Sequence, residues 1–224
     1  MPTADIVVES EISTSIRAQQ VACMFDLPSQ DKCRLSWHVE LPIESFDWNV
    51  GLIVGPSGSG KSTVAKRFFG EMRELEWSGK SVVDDIAPAR TVEDVGIICQ
   101  AVGFNTIPAW LRPFAVLSNG EKFRVELARR MLEEPDPIVV DEFTSVVDRQ
   151  VAKIGSHAVQ KYVRRQSRKF IAVTCHYDVL DWLQPDWVLD MATCDFQRRL
   201  LQRRPSVSCV VGRIPSAAWR IFAP

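Results

Sequence analysis

A short glycine- and serine-rich stretch, GPSGSGKST, stands between an apolar run and a segment with helical periodicity. It fits the pattern G-x-x-x-x-G-K-[ST], in which glycines let successive backbone N–H groups turn toward phosphate oxygens. The helix that begins near Lys61 directs its positive end at the same anion. Lys61 can reach the β- and γ-phosphates of a nucleotide, and the Ser62 hydroxyl can ligate Mg²⁺. The predicted phosphate loop consists of Gly55, Pro56, Ser57, Gly58, Ser59, Gly60, Lys61, Ser62 and Thr63.

Two adjacent acids end a second apolar run, IVVDE. Neighbouring side chains on a strand point to opposite faces, but at the end of the strand Asp141 can hold Mg²⁺ through water while Glu142 faces the nucleotide. Glu142 is then placed to polarise an attacking water as a general base. On its own, a strand that ends in two acids is better explained by a solvated strand end. Beside a phosphate loop, the pair predicts a hydrolytic site.

The stretch LSNGE precedes a segment with helical periodicity. Ser118 and Glu121 have the S-x-x-E spacing of a capping box, which satisfies two backbone donors at the start of a helix. Apolar residues follow at helical spacing, so the pattern predicts a capped, amphipathic helix. Those apolar residues are Leu127, Ala128, Met131 and Leu132.

LSNGE also resembles the LSGGE signature of ABC-type ATPases, with Asn119 where the first glycine usually stands. Ser118 comes 23 residues before Asp141, the usual interval in that family. TSVVD, residues 144–148, looks like the family's D-loop, and His176 after the run FIAVT looks like its switch histidine. The resemblance covers about residues 50–195, with the motifs in the family's order.

The resemblance implies a head-to-tail homodimer in which two copies enclose two ATP molecules. Ser118 and the Gly120 amide of one copy would contact the γ-phosphate held by the phosphate loop of the other copy. Ser145 and Asp148 would couple the two sites. Lys61, Glu142 and His176 are implied as catalytic, with ATP and Mg²⁺ as cofactors and with Ser62 and Asp141 as metal ligands. His176 would hydrogen-bond the γ-phosphate and the attacking water; the alternative is a surface imidazole.

Apolar runs that alternate with helical segments predict an α/β fold, and the resemblance makes it a P-loop NTPase of ABC type. We expect a mixed sheet with parallel central strands, N-terminal antiparallel strands and a reduced helical subdomain at about 86–133. The ATPase domain is assigned to 1–195, and a basic C-terminal strand and stub to 196–224. The predicted strands are 4–12, 35–41, 49–54, 81–83, 135–140, 170–174, 187–191 and 196–201, and a helix is predicted at 61–74.

ABC ATPases carry a glutamine loop before the helical subdomain, and here its identity stays open. Gln100 follows VGIIC, but apolar spacing, a Thr91 cap and a Gly103 stop predict a helix at 92–102 with Gln100 on its polar side. If the preceding strand is instead 81–83, then Asp84 or Asp85 occupies the loop. Either way the helical stretch is short, which argues against docking onto a transporter's membrane subunits.

Two smaller features of the sequence also have two interpretations each. The adenine needs an apolar platform upstream of the phosphate loop; Phe25 is our choice, with Trp37 as the alternative. The apolar cluster Trp110, Leu111, Pro113 and Phe114 either packs the helical subdomain or forms a partner surface.

Stretches such as VVDEFTSVVDRQVAK and CHYDVLDWLQPDWV look like those of soluble, single-domain ABC ATPases of bacteria, archaea and phages. Some members of that group continue into an acetyltransferase-like region. The chain stops at AAWRIFAP, where that continuation would begin. We therefore expect a short or truncated version, without a site for acyl-CoA.

Composition limits the remaining classes. The 224 residues are 46% hydrophobic and 25% charged, which is ordinary for a globular domain, and no apolar run approaches a membrane span. The N-terminus has no secretory signal, so we expect a cytoplasmic protein. The six cysteines include no CxxC pair, which predicts reduced and mostly packed thiols.

Charge is distributed unevenly along the chain. Residues 196–224 contain six arginines and no acid; because the whole chain has a net charge of −1, residues 1–195 carry −7. The tail is either a solvated sheet edge or a surface that follows nucleic-acid phosphates. The second interpretation would use Arg198, Arg199, Arg203 and Arg204.

We therefore expect a Mg-dependent ATPase coupled to a nucleic-acid or protein partner, without direct membrane insertion. The alternative is the ATP-binding subunit of a membrane transporter. A non-hydrolysing ATP switch is a third possibility, but the presence of Lys61, Asp141 and Glu142 counts against it.

Overall fold

The computed structural model describes residues 3–28 and 32–199. Seven strands are present in this part of the chain: β1 (Thr3–Glu11), β2 (Lys32–Glu40), β3 (Val50–Val54), β4 (Ile138–Val140), β5 (Phe170–Thr174), β6 (Trp187–Asp190) and β7 (Asp195–Arg198). The helices are α1 (Ile16–Met24), α2 (Lys61–Phe69), α3 (Val82–Asp85), α4 (Val92–Ala101), α5 (Ile107–Trp110), α6 (Asn119–Glu133), α7 (Arg149–Arg165) and α8 (Val179–Leu183). Short 3₁₀ turns lie at Ile43–Ser45 and Phe114–Val116.

Five strands form the central sheet in the order β4-β5-β3-β6-β7. The first four are parallel, and only β7 runs antiparallel, against β6. All residues of β3 and β5 are buried, because both faces of the sheet are covered. Leu52 of β3 packs into a core shared with the helices α4, α6 and α7, whereas its neighbour Ile53 packs on the opposite face with α2 and the N-terminal strands. The expected mixed sheet with parallel central strands is confirmed.

The two N-terminal strands form a separate antiparallel ribbon, as expected. Ile6 pairs with Trp37 and Val8 with Leu35, so these four side chains lie on one face of the ribbon. Ile6 is buried in the core, but Val8 and Leu35 are 39% and 47% exposed. Helix α1 interrupts the ribbon and contains no buried residue.

The helical region agrees with the sequence at α4 and α6 and differs from it at residues 81–83. Helix α4 begins after the Thr91 cap, whose side chain accepts a hydrogen bond from the Asp94 N–H, and the chain turns at Gly103 with φ of 79°. The predicted strand at 81–83 is wrong: Ser81 precedes the one-turn helix α3. Val82 is buried there and its N–H donates to the Arg112 carbonyl, so the short apolar pair packs without a neighbouring strand.

Two further predictions need adjustment. The helix predicted at 61–74 ends at Phe69, because Gly70 adopts a left-handed φ of 88° and its N–H caps the Lys66 carbonyl. Of the five cysteines in the described residues, all are free but only Cys99 is buried, so the expectation of mostly packed thiols is wrong. Cys23, Cys33 and Cys175 are exposed, and Cys209 lies outside the described residues.

The apolar cluster 110–114 is largely packed. Phe114 stacks on Trp77 with ring centroids 4.2 Å apart, and the Trp110 indole N–H donates to the Phe104 carbonyl at 3.0 Å. Leu111, in contrast, is 70% exposed. Among the described helices, none is both long and apolar enough to cross a membrane.

Candidate nucleotide site

The phosphate loop lies at the carboxyl end of β3, directly before α2. Gly58 and Gly60 have φ of 78° and 85°, which side-chain-bearing residues rarely adopt. Gly60 is required for a second reason, since a Cβ there would lie 2.6 Å from the Trp37 ring. The Lys61 ammonium donates to the Pro56 carbonyl at 2.7 Å, which uses one of its three N–H donors. The loop can thus present backbone N–H groups, a helix N-terminus and an ammonium group to one anion.

The two acids follow β4 in a tight turn that spans residues 141–147. The Asp141 carboxylate accepts the Glu142 N–H at 2.8 Å, which fixes its orientation. Glu142 and Thr144 have left-handed φ of 48° and 68°, a strained conformation for residues other than glycine. The Phe143 N–H donates to the Val173 carbonyl, so the turn is attached to the neighbouring strand β5. Glu142 lines one cavity together with the phosphate loop.

One cavity of about 360 Å³ joins the phosphate loop to the acids, which is within the range of small-ligand sites. Of the predicted site residues, Ser57, Gly58, Gly60, Lys61, Ser62, Thr63, Asp141, Glu142 and Ser145 line it. Gly55, Pro56 and Ser59 shape the loop from behind and do not line the cavity. Sequence reasoning missed Val8, Leu35, Val173, Thr174 and Cys175, which also line it. Thr174 and Cys175 could have been found from their position at the end of a parallel strand, next to His176.

His176 is beside this cavity but does not line it. It is half-buried, and its backbone N–H donates to the Thr174 hydroxyl at 3.2 Å. The next residue, Tyr177, donates its hydroxyl to Asp190 at 2.9 Å, so the segment after β5 is fixed at both residues.

The predicted signature forms the N-terminus of α6, away from the cavity of its own chain. Ser118 is the N-cap: its Oγ accepts the Glu121 N–H at 3.3 Å, and its own N–H donates to the Glu121 carboxylate at 2.9 Å. The predicted capping box is confirmed. The hydrogen bond from the Ser118 backbone, followed by the one from its side chain, lowers the pKa of Glu121. Ser118 and Asn119 are exposed and Gly120 is half-buried, so this helix start is accessible to a second molecule.

Asp148, the last residue of the predicted D-loop, is the N-cap of α7. Its carboxylate accepts the N–H groups of Gln150 and Val151, each at 2.9 Å. The loop therefore begins at the cavity with Ser145 and ends at the start of a long helix.

The apolar wall of the cavity is formed by the ribbon. Trp37 lines the cavity with Val8 and Leu35, whereas Phe25 ends α1, is 69% exposed and does not line it. The structure therefore favours Trp37 over our first choice of adenine platform. The alternation of β2 already places Leu35 and Trp37 on one face, but the sequence could not show that Val8 joins them, because that depends on the register of β1 with β2.

None of the three glutamine-loop candidates lines the phosphate cavity. Gln100 is exposed on α4 and borders a different cavity with Asn105, Ile107 and Trp110. Asp84 accepts the Ser81 hydroxyl at 2.5 Å, and Asp85 accepts the Ser78 N–H at 3.0 Å, so both acids serve the local turn before α3.

The predicted basic tail is only partly described. Arg198, at the end of the edge strand β7, lies over the Phe46 ring at 4.4 Å from its centroid, and the Arg199 N–H donates to the Asp186 carbonyl. Arg203 and Arg204 lie outside the described residues.

Among the described residues, no group of three or more His, Cys, Asp or Glu side chains could hold a metal ion. A magnesium ion would therefore need hydroxyl and phosphate oxygens besides the carboxylates.

Three features together define a P-loop nucleotide-binding fold. They are the parallel sheet, the glycine loop between β3 and a helix, and the two acids at the end of β4, which is separated from β3 by β5. No family model matches the chain. Similar curated proteins are an uncharacterised ABC transporter ATP-binding protein of Mycobacterium tuberculosis and the energy-coupling factor transporter ATP-binding protein EcfA1 of Geobacillus kaustophilus. The first is 32% identical over 108 residues, which are 47% of this chain and 15% of that protein. The second is 27% identical over 186 residues, or 65% of this chain and 63% of that protein.

Solved structures with the same fold include a dimeric bacterial ABC transporter cassette, MJ0796, with a TM-score of 0.53 and 14% identity over 63% of this chain and 80% of that one. A bacterial Atm1-family ABC exporter with ATP bound has a TM-score of 0.52 and 20% identity over 70% of this chain and 33% of that one. The chain therefore has the fold of ABC-type ATP-binding cassettes, and its curated relatives are ABC transporter ATP-binding proteins. It spans less than two thirds of the length of the curated relatives above.

Proposed function

We propose that the chain binds Mg-ATP in the phosphate-loop cavity and hydrolyses it to ADP and phosphate. The observation that carries this proposal is the meeting of Lys61, Ser62, Asp141 and Glu142 in one cavity from two separate strand ends. A cassette with the same fold has been solved as a dimer in a post-hydrolysis state with ADP and phosphate bound. The role of each residue follows from its chemistry and its position.

The phosphate loop and Lys61 bind the β- and γ-phosphates, and the N-terminus of α2 stabilises their charge. Ser62 and Asp141 provide hydroxyl and carboxylate oxygens on the same cavity wall, a hard donor set that suits Mg²⁺. When bound there, the ion neutralises charge on the phosphate oxygens. Glu142 orients and deprotonates the attacking water, and His176 hydrogen-bonds the γ-phosphate from the end of β5.

The base is bound by the apolar wall of the cavity. Trp37 provides an aromatic surface next to Gly60, and Val8 and Leu35 extend that surface along the ribbon. All three side chains lie on one face of β1 and β2, so they form a continuous apolar strip beside the phosphate site.

The active form is a head-to-tail homodimer. The exposed Ser118 and the half-buried Gly120 are at a helix N-terminus, which can stabilise a γ-phosphate held by a second copy. In this arrangement Ser145 and Asp148 lie between the two nucleotide sites. Closure on ATP and opening after hydrolysis would then drive a partner.

Two variants test the activity and the dimer together. Lys61→Ala should abolish ATP binding, and Glu142→Gln should retain ATP binding, lose hydrolysis and accumulate as a dimer on size-exclusion chromatography in Mg-ATP. ADP in place of ATP is the matched control and should leave Glu142→Gln monomeric. Equal hydrolysis by wild type and Lys61→Ala would refute the activity, and a monomeric Glu142→Gln in Mg-ATP would refute the sandwich.

The second question is which partner the domain drives. Ile97, Ile107 and Leu111 of the helical region are 64%, 64% and 70% exposed, which favours a protein partner, and the relatives include subunits of membrane transporters. We expect Leu111→Glu to abolish partner capture while leaving basal ATP hydrolysis unchanged.

A nucleic-acid partner through the basic tail predicts instead that DNA or RNA binds at low salt and is released steeply as salt rises. Loss of such binding in Arg198→Gln with Arg199→Gln would favour nucleic acid.

A further inference from the structure

Two segments at the nucleotide site are joined to each other by an ion pair. The first is the turn that carries Glu142 and Ser145 and ends where α7 begins. The second is the segment after β5 that carries His176. Arg149, the first residue of α7, donates from Nε to the Asp178 carboxylate at 2.8 Å and from Nη2 to its other oxygen. A guanidinium that contacts both oxygens of a carboxylate fixes orientation as well as distance.

The guanidinium is held from a third side by an aromatic ring. Its central carbon lies 5.1 Å from the centroid of the Trp182 ring on α8. Its remaining nitrogen, Nη1, is buried and has no hydrogen-bond partner among the residues that the structure describes. Arg149 thus connects the start of α7 to Asp178, which directly precedes α8, and to Trp182 on α8.

The two residues that follow His176 are each held by a contact. Tyr177 donates to Asp190, whose same oxygen also accepts the Ala192 N–H at 2.9 Å, so that carboxylate is held by the end of β6. Asp178, the next residue, is held by Arg149. The backbone of His176 itself is fixed by its hydrogen bond to Thr174. Each of the residues 176–178 is therefore held by a hydrogen bond or an ion pair.

Because the Arg149–Asp178 ion pair is partly exposed to water, its main effect is not on the stability of the fold. The side chains of Arg149 and Asp178 are 39% and 44% exposed, and ion pairs that are this accessible to water contribute little to the free energy of unfolding. Their geometry is nevertheless specific, since two hydrogen bonds and a ring face meet at one guanidinium. Such a pair is better suited to setting the position of a loop than to holding the fold together.

We propose that Arg149 is a positioning residue, which through Asp178 fixes His176 relative to the turn that carries Glu142. It does not touch the reacting atoms. Because its backbone directly follows Asp148, a displacement of the D-loop by a second copy is transmitted through the same ion pair to His176. This inference rests on the proposed ATP hydrolysis.

The test compares wild type with Arg149→Gln, Arg149→Lys and Asp178→Asn. Arg165→Gln is the matched control: it removes the same charge at the other end of α7, where the exposed Arg165 forms no ion pair with any described residue. We expect Arg149→Gln and Asp178→Asn each to lower kcat about tenfold with KM for ATP changed less than about twofold, because a misplaced catalytic group slows the chemical step more than binding. Arg149→Lys should recover only part of kcat, since an ammonium cannot contact both carboxylate oxygens. Melting temperatures should stay close to that of Arg165→Gln.

A double-mutant cycle separates positioning from a structural effect. In a His176→Ala background Arg149→Gln should lower kcat by less than about twofold, because the group it positions is absent. Equal reductions in both backgrounds, or an Arg149→Gln variant as active as Arg165→Gln, would overturn the inference while leaving the ATPase activity established. If the wild-type protein instead hydrolyses ATP no faster than Lys61→Ala, the proposed function is refuted, and the inference with it.

Discussion

Gly51, in the middle of β3, leaves no room for a side chain. A Cβ at this position would lie 2.1 Å from Cζ2 and 2.3 Å from Cε2 of Trp187, on the neighbouring strand β6. Trp187 is fully buried, and its ring is surrounded by Trp48 at 5.5 Å, Phe69 at 6.5 Å and Phe196 at 6.1 Å between centroids. Gly51→Ala is therefore expected to force this aromatic cluster apart.

The size of the effect follows from the contact distance. To move the nearest ring atom from 2.1 Å to an ordinary contact of 3.4 Å, the indole must shift by about 1.3 Å, which a close-packed core resists. Overpacking of this kind costs about 3 kcal/mol, the upper end of its usual range, because the ring has aromatic neighbours on three sides. The lower chain entropy of unfolded alanine offsets about 0.5–1 kcal/mol of this cost. We expect Gly51→Ala to lower the free energy of unfolding by about 2 kcal/mol.

Gly96 provides the matched control. It lies inside α4, where a Cβ would meet only Trp110, at 3.7 Å, an ordinary contact. Gly96→Ala should therefore raise the free energy of unfolding by about 0.5–1 kcal/mol through helix propensity. Urea unfolding measures both, with midpoints compared at equal slope. The reasoning fails if Gly51→Ala is as stable as wild type, or if adding Trp187→Leu makes the two substitutions simply additive.

Three further predictions concern accessibility, pH and the helical region. Mg-ATP should protect Cys175, which lines the phosphate cavity, from alkylation measured by mass spectrometry, but should not protect the exposed Cys23 of α1. Burial, followed by nearby lysines, lowers the pKa of His157, so at this residue the native state binds fewer protons than the unfolded state. The contribution of His157 to stability should therefore fall as pH drops from about 7 to 5, and wild type should lose more stability over that range than His157→Gln. Arg129→Gln should lower the free energy of unfolding in urea by about 3 kcal/mol, since the buried guanidinium contacts the Trp77 ring and pairs with a carboxylate.

Each of these predictions has an internal control. Cys99, whose pKa burial raises to about 12, should not react in the native protein, so its modification would indicate unfolding rather than access to the site. A stability that rises as pH falls from 7 to 5, and does so through His157, would contradict the sign derived from its pKa. Arg165→Gln removes an exposed charge and should change stability by less than about 0.5 kcal/mol; an Arg129→Gln variant of the same stability would show that the buried network contributes nothing.

Features set by adjacent residues could be predicted from the sequence. The phosphate loop, the Ser118 capping box and the helix start at Thr91 all depend on contacts within a few residues, and the structure has each of them. The strand predicted at 81–83 failed because two valines do not distinguish a short strand from a buried helical turn. The prediction of the site's apolar wall, with Phe25 as the first choice, was wrong for a different reason. It depends on which residues of β1 and β2 lie opposite each other, and α1 separates the two strands in sequence.

The sheet order explains why residues so distant in sequence form one site. The parallel strands β3, β4 and β5 end at the same edge, so the phosphate loop, the acids and the Thr174–His176 segment emerge side by side. Because β5 lies between the other two, its end is the only one adjacent to both the loop after β3 and the turn after β4. The hydrogen bond from the Phe143 N–H to the Val173 carbonyl makes that adjacency direct. The segment after β5 therefore emerges next to both the phosphate loop and the turn that carries Glu142. The ion pair between Arg149 and Asp178 attaches that segment to the start of α7, the helix that follows the turn carrying Glu142.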